Sequence, residues 1–259
     1  MSAAKEGERM KVLSVGNSFS EDAQRWLHEI SLFGGERIDT FNLFIGGCSL
    51  CRHTECIEKG GKDYILQGNA NGRLRETSAN EIIENEKFDI VTVQQVSGLS
   101  GRPQTYEPYL GILLEYIKKH QPQAKIYFHE TWSYEIDSTH GDFAFYNRDS
   151  GEMIRRISDC AAAVKRAYGI PVIPAGDFIE YLRENVSQFD YRGGGRSLCR
   201  DGFHLSLDYG RFAAAAVWYK TFTGETVKTE PFLEANPDFD GDLLQVIAGA
   251  LDRFQAANV

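Results

Sequence analysis

The sequence lacks any run of about 18 apolar residues, so it offers no candidate for a transmembrane helix. Positive charge is also in deficit, because 28 Lys and Arg residues stand against 37 Asp and Glu residues, a formal net charge of −9. Proteins that bind nucleic acid usually present a basic patch, and anionic membranes attract basic segments. We therefore expect no nucleic-acid partner and no membrane insertion.

Cysteine is scarce as well, and the count of five in 259 residues does not fit a disulfide-stapled scaffold. Cys48, Cys51 and Cys56 cluster around His53, a grouping that could supply thiolates to zinc or to an iron–sulfur cluster. The second Cys-x-x-Cys half of a structural zinc site is missing. We expect packing thiols and no cofactor, with a metal site or a regulatory disulfide as the alternatives.

The first ten residues form a polar leader without the apolar segment of a secretory signal. A cytoplasmic location is the default expectation, and a periplasmic or secreted one applies if a signal was removed. Residues 11–259 are expected to form a single domain, whose oligomeric state stays open.

Short apolar runs alternate with amphipathic runs of helical length along the chain. Residues 12–15, 88–93 and 124–129 are predicted as buried strands, and the region 19–33 as one helix. Two further strands are predicted, the second of the chain at 37–45 and a short one at 170–173. Such alternation indicates βαβ units and a mostly parallel sheet. Two segments, 51–77 and 133–150, are predicted to be irregular. Further helices are predicted at 78–87, 106–120, 151–168, 178–185, 207–222 and 241–257.

Ligands of open α/β sheets bind beyond the carboxyl ends of the strands. Gly16-Asn17-Ser18 joins the first strand to the first helix at that edge. A serine there projects from the sheet, and its backbone N–H lies at a helix start that favours a developing oxyanion. The simpler interpretation is that Ser18 or Ser20 only caps the helix.

The segment Asp201-Gly202-Phe203-His204 precedes a predicted helix. A serine nucleophile needs a base, and the base needs an orienting group. Asp and His three residues apart on a loop can meet through one turn of the chain. The alternative is an incidental pair on a surface loop.

In this order, and with Gly46-Gly47 after the second strand, these blocks resemble the SGNH or GDSL-like hydrolases, in particular a poorly characterised bacterial branch. Asn17 stands where many members have Asp. The resemblance implies a flavodoxin-like, three-layer α/β/α sandwich around a mostly parallel sheet of about five strands. It also implies Ser18 as nucleophile, His204 as base and Asp201 as the group that orients the base.

The resemblance further implies an oxyanion hole that uses the backbone N–H groups of Ser18 and Gly47. The third donor in the family is usually an Asn side chain of a Gly-x-Asn block, which this chain lacks. Gln94 and Gln95 carry the same amide on a longer arm, and Gln94 is favoured because it directly ends the strand.

The function expected from these features is a serine esterase that hydrolyses a small acyl ester, with acetyl the expected acyl group, on a carbohydrate. The loop with Phe143, Phe145, Tyr146 and Arg148 suits a sugar better than a long acyl chain. A non-catalytic carbohydrate-binding protein on the same fold is one alternative, and a metal or redox protein built on the cysteine cluster is another. Further candidates for substrate contact are Trp132, Glu130 and His53.

Overall fold

The computed structural model describes residues 9–257, with side chains through Phe254. These residues form one sheet and the helices around it. The strands are β1 Arg9–Gly16, β2 Arg37–Phe44, β3 Tyr64–Gln67, β4 Arg73–Thr77, β5 Ile90–Val93, β6 Lys125–His129 and β7 Val172–Ile173. The α-helices are α1 Ser18–Gln24, α2 Leu27–Gly34, α3 Leu50–Lys59, α4 Ala79–Asn85, α5 Tyr109–His120, α6 Ser150–Tyr168, α7 Ala175–Asn185, α8 Tyr209–Thr223, α9 Thr229–Ala235 and α10 Gly241–Ala257.

The sheet has the strand order β4-β3-β2-β1-β5-β6-β7. Five neighbouring strands, in the order β2-β1-β5-β6-β7, pair in parallel, as predicted. The sheet is larger than expected because β3 and β4 add an antiparallel hairpin at the β2 edge. Since all five parallel strands run the same way, their carboxyl ends share one edge of the sheet.

The expectation that 51–77 is irregular is wrong, because this segment contains most of α3 and both strands of the hairpin. Ser49 caps α3 by accepting a hydrogen bond from the Arg52 N–H, and Gly60 ends it in the left-handed conformation. Strand β4 has four exposed residues out of five. Charged side chains are typical of an edge strand and hide the alternation that identifies inner strands.

Helices cover both faces of the sheet, as a three-layer sandwich requires. Val12 of β1 packs into the core with α1, α2 and α7–α10, whereas its neighbour Leu13 packs into the core with α3, α4 and α5. Adjacent residues of a strand point to opposite faces, which explains this division. The pattern places Ser18, directly after β1, at the middle of the carboxyl edge.

The remaining differences from the predicted elements are local. The helix predicted at 19–33 is two helices, separated at Arg25 and Trp26. The segment 133–150 contains a 3-10 helix at Gly141–Tyr146. Strand β1 already begins at Arg9, and leader residues 1–8 lie outside the described residues. Within the described part of the chain, no helix combines the length and apolarity needed to cross a membrane.

Candidate active site

The turn that carries Ser18 is held by packing and capping. A Cβ atom on Gly16 would lie 2.0 Å from the Ser20 Oγ, so the turn requires glycine at this position. Asn17 is the N-cap of α1 and its Oδ1 accepts a hydrogen bond from the Phe19 N–H, while the Ser20 Oγ accepts one from the Asn17 N–H. Ser20 is therefore a capping residue and is completely buried, whereas Ser18 is partly exposed.

The buried Asn17 side chain joins the ends of three strands. Its Nδ2 donates to the Cys48 carbonyl in the loop after β2, at 3.0 Å. Its Oδ1 also accepts a hydrogen bond from the Gln94 Nε2 after β5, at 2.8 Å. The Ser18 turn, the Gly46-Gly47 turn and the β5 end are thus fixed relative to one another.

The loop before α8 brings Asp201 and His204 together. The Asp201 Oδ1 accepts hydrogen bonds from the backbone N–H groups of Phe203 and His204, at 3.2 and 2.7 Å. Gly202 has a φ of +80°, and a Cβ atom there would meet the Ser138 backbone at 2.9 Å. This position therefore needs glycine for its conformation and for its close contact.

A continuous line of hydrogen bonds connects the three side chains. The His204 Nδ1 lies 2.7 Å from the Asp201 Oδ2, and the His204 Nε2 lies 2.9 Å from the Ser18 Oγ. With the proton on Nδ1, the imidazole donates to Asp201 and its Nε2 accepts from the serine hydroxyl. Burial raises the pKa of the Asp201 carboxyl, but the hydrogen bonds from His204 outweigh it and hold that pKa below its ordinary value. The Asp201 carboxyl is therefore ionised at neutral pH.

Three of the four residues predicted for an oxyanion hole lie at the turns and the strand end that Asn17 joins. Gly47 is exposed with a φ of +62°, and its N–H makes no hydrogen bond to any residue that the structure describes. The Ser18 N–H lies in the first turn of α1, where no intrahelical acceptor exists. Gln94 is buried, and its Nε2 donates to the Asn17 side chain in the Ser18 turn.

Gln95, the fourth predicted residue, makes its hydrogen bonds elsewhere. Its Nε2 donates to the backbone and side-chain oxygens of Thr105, and its Oε1 accepts from the Leu50 and Val96 N–H groups. The prediction of Gln95 as an oxyanion donor is therefore corrected, because its amide is used to anchor loops.

Two predicted substrate contacts are core residues. The Trp132 side chain is fully buried, stacks on Phe19 with ring centroids 4.3 Å apart, and donates to the Phe203 carbonyl. It contacts the residues next to Ser18 and His204 and has no face free for a sugar. His53 is also fully buried, with its Nδ1 3.0 Å from the Tyr64 hydroxyl, and this burial lowers its pKa to about 3.

Glu130 is buried as well, and its hydrogen-bond partner belongs to α7, not to the three aligned side chains. Its Oε2 accepts a hydrogen bond from the Asp177 N–H at the start of α7. It lines a groove of about 520 Å³ together with Lys165 and Lys220, and neither Ser18 nor His204 lines that groove. Burial raises the pKa of Glu130 to about 8, and the charge of Asp177 adds to the shift.

The aromatic loop is also less open than expected. Phe143 and Tyr146 are completely buried, and only Phe145 of the three aromatic side chains is exposed. The Arg102 guanidinium lies over the Phe145 ring, 4.1 Å from its centroid. The loop thus offers one aromatic surface to a ligand.

The cysteine cluster is made of free thiols, with Cys48 and Cys56 buried. Burial raises the pKa of the Cys48 thiol, which disfavours the thiolate that a metal needs. In the part of the chain that the structure describes, no three His, Cys, Asp or Glu side chains converge as metal ligands would.

Three residues near the site had no place in the predictions, namely Asp22, Arg200 and Arg211. Arg200 and Arg211 both form ion pairs with Asp22, which is fully buried. From the sequence, Asp22 is only an acidic residue in the first turn of a helix. Its position one helical turn after Ser18 was the available signal.

Comparison with known proteins identifies relatives. The family model described as "Domain of unknown function (DUF4886)" matches residues 11–239. The crystal structure of a DUF4886 family protein from Bacteroides uniformis is 30% identical, with a TM-score of 0.83, over 94% of this chain and 93% of that one. No curated protein matches the sequence.

Other solved structures share the fold at lower identity. A protein described provisionally as an SGNH hydrolase, from Slackia heliotrinireducens, is 18% identical with a TM-score of 0.55, over 83% of this chain and 100% of that one. An acetylxylan esterase from Geobacillus stearothermophilus is 13% identical with a TM-score of 0.53, over 87% of this chain and 100% of that one. The fold is that of the SGNH hydrolases, as the resemblance implied.

Proposed function

We propose that this chain, which belongs to the DUF4886 family, is a serine esterase that transfers a small acyl group from an ester to water. The observation that carries the proposal is the alignment of Ser18, His204 and Asp201, with contacts of 2.9 and 2.7 Å. This is the arrangement that nucleophile, base and orienting group need for acyl transfer.

In the first half of the proposed reaction, the Ser18 Oγ attacks the ester carbonyl carbon while the His204 Nε2 takes the hydroxyl proton. The tetrahedral intermediate collapses when the bond to the leaving alcohol breaks, and His204 returns the proton to that alcohol. In the second half, water attacks the acyl-serine by the same route, which releases the acid and restores the Ser18 hydroxyl. The Asp201 carboxylate stabilises the imidazolium in both halves.

The negative oxygen of each intermediate would be met by the N–H groups of Ser18 and Gly47. The turn geometry supports Gly47, since this residue is exposed and its N–H has no other partner in the described chain. Gln94 is the third donor in the proposal, because its buried amide already contacts Asn17 beside the nucleophile. Preorganised donors of this kind lower the barrier without reorganisation during the reaction.

We infer an acetyl ester of a carbohydrate as the substrate class. The Geobacillus stearothermophilus protein, which shares this fold, is described as an acetylxylan esterase. The net charge of −9 disfavours anionic substrates, and the strand ends around Ser18 present polar groups such as Gly47 and Gln94. The exposed Phe145 ring with Arg102 provides a surface on which a sugar can stack.

A fluorophosphonate probe followed by peptide mapping tests the nucleophile. The probe should label Ser18 in the parent protein and leave the Ser18→Ala variant unlabelled. Hydrolysis of p-nitrophenyl acetate should fall about 10⁶-fold in this variant, since the three groups act as a unit. Ser187→Ala, which changes an exposed serine in the 3-10 helix Ser187–Phe189, should retain both label and turnover.

Full activity of Ser18→Ala would overturn the proposal. Binding of acetylated glycans without turnover in the parent would identify a carbohydrate-binding protein instead. A series of nitrophenyl esters then tests the acyl group, and a preference for octanoate over acetate contradicts the substrate class.

A further inference from the structure

The carboxylate of Asp22 lies at the junction between the helix that carries Ser18 and the loop that carries His204. Asp22 follows Ser18 by four residues in α1, and its side chain is completely buried. Its Oδ2 accepts a hydrogen bond from the Leu205 N–H at 2.8 Å. Leu205 directly follows His204, so one side chain of the nucleophile helix holds the backbone beside the base.

The same carboxylate also holds the other side of the catalytic loop. The Arg200 Nη1 lies 3.1 and 3.2 Å from the two Asp22 oxygens, and Arg200 directly precedes Asp201. The Arg200 backbone N–H donates to the His204 carbonyl at 2.9 Å, and its side chain donates to the Leu205 carbonyl. The loop from Asp201 to His204 is therefore bracketed by two residues that both contact Asp22.

Arg211 completes the cluster from α8. Its Nε lies 2.7 Å from the Asp22 Oδ1, so one buried carboxylate faces two guanidinium groups and one backbone N–H. A buried charge is tolerated only when it is paired and hydrogen-bonded, and removal of one partner is strongly destabilising. Such hydrogen bonds and ion pairs fix the distance and the direction between the groups they join, which an apolar contact would not do.

We propose that Asp22 is a positioning residue, which sets the distance between the Ser18 Oγ and the His204 Nε2. This inference rests on the proposed function. Ser18 and His204 are 186 residues apart in the chain, and proton transfer needs their atoms within hydrogen-bond reach. The Asp22 contacts join the two segments directly, next to the reacting groups. A misplacement of about 1 Å can reduce turnover about 10²-fold.

Asp39 provides a matched control within the same protein. It is also a buried aspartate, in strand β2, and it pairs with two arginines, Arg9 and Arg37. It lies near the amino end of that strand, whereas the catalytic residues lie at the carboxyl edge of the sheet. Loss of its charge takes a buried carboxylate away from two arginines, here more than half exposed, and leaves the loop that carries His204 untouched.

The test compares Asp22→Asn with Asp39→Asn in the full chain. Both variants should lower the melting temperature, but only Asp22→Asn should reduce kcat on p-nitrophenyl acetate, by about 10- to 100-fold, with KM changed less than about threefold. If Asp22→Asn does not fold, Arg200→Gln removes one of the two residues that connect Asp22 to the loop from Asp201 to His204, and it should also reduce kcat. Equal kcat in folded Asp22→Asn and parent protein would overturn the proposal.

A measurement that needs no turnover separates this inference from the proposed function. The ¹⁵N shifts of the His204 imidazole report its tautomer and its contact with Ser18. They should change in Asp22→Asn and stay as in the parent in Asp39→Asn. If the parent lacks esterase activity, the proposed function fails, and these shifts alone decide the role of Asp22. Unchanged His204 shifts in Asp22→Asn would contradict it.

Discussion

The Ser18 Oγ lies 2.9 Å from the His204 Nε2, although 186 residues separate the two along the chain. Ser18 begins α1 and His204 precedes α8, and these two helices pack against each other on one face of the sheet. The contact therefore depends on the packing of the whole domain. The following predictions test the groups around it.

Asp201→Asn should reduce kcat about 10⁴-fold, because an amide no longer holds the imidazole tautomer that accepts the Ser18 proton. The Asp201 Oδ2 is 2.7 Å from the His204 Nδ1, and the bonds from His204 hold the pKa of this carboxyl low. Steady-state kinetics with p-nitrophenyl acetate measure the effect. Asp137→Asn, at an exposed position, is the control and should match the parent. A loss smaller than tenfold in Asp201→Asn would exclude the assigned role.

Gln94→Leu and Gln95→Leu should separate catalysis from loop anchoring. Removal of one oxyanion donor typically costs about 10²–10³ in turnover, so Gln94→Leu should lower kcat by that factor. Gln95→Leu removes the hydrogen bonds to Thr105 and Leu50, and it should lower the melting temperature with little change in kcat of the folded protein. Kinetics and thermal unfolding of both variants decide the assignment. The reverse pattern would make Gln95 the donor.

Glu130→Gln should change how stability depends on pH. Burial raises the pKa of this carboxyl from 4.5 to about 8 in the folded protein, so the unfolded chain loses the proton first as the pH rises. The contribution of this group to the free energy of unfolding is present in full below about pH 4.5, and it is lost as the pH rises towards 8 and above. The glutamine variant carries no such loss. Its free energy of unfolding relative to the parent should increase by about 4 kcal/mol between pH 5 and pH 9.

Urea unfolding at the two pH values measures this difference. Glu58→Gln, which removes an exposed carboxyl on α3, should show no such change. If Glu130→Gln and the parent lose stability equally between pH 5 and pH 9, the carboxyl is ionised in the folded protein.

Local chemistry made the main elements and the reacting residues predictable. Gly16-Asn17-Ser18 combines a tight turn with a helix cap, and Asp201 and His204 are close enough in sequence to meet through one turn. Parallel inner strands are buried on both faces and therefore form continuous apolar runs. The polar hairpin β3–β4 has no such pattern, because its strands pair at the edge of an existing sheet.

The sequence by itself determined the α/β class, the parallel strands and the candidate nucleophile, base and acid, since each depends on neighbouring residues. Only the tertiary structure decided which polar side chains face the site. It buries Trp132 and His53 in the core and commits Gln95 to Thr105. It also joins Asp22 to Arg200 and Leu205 across more than 170 residues. Such contacts follow from how helices pack on the sheet, a long-range outcome that no local pattern records.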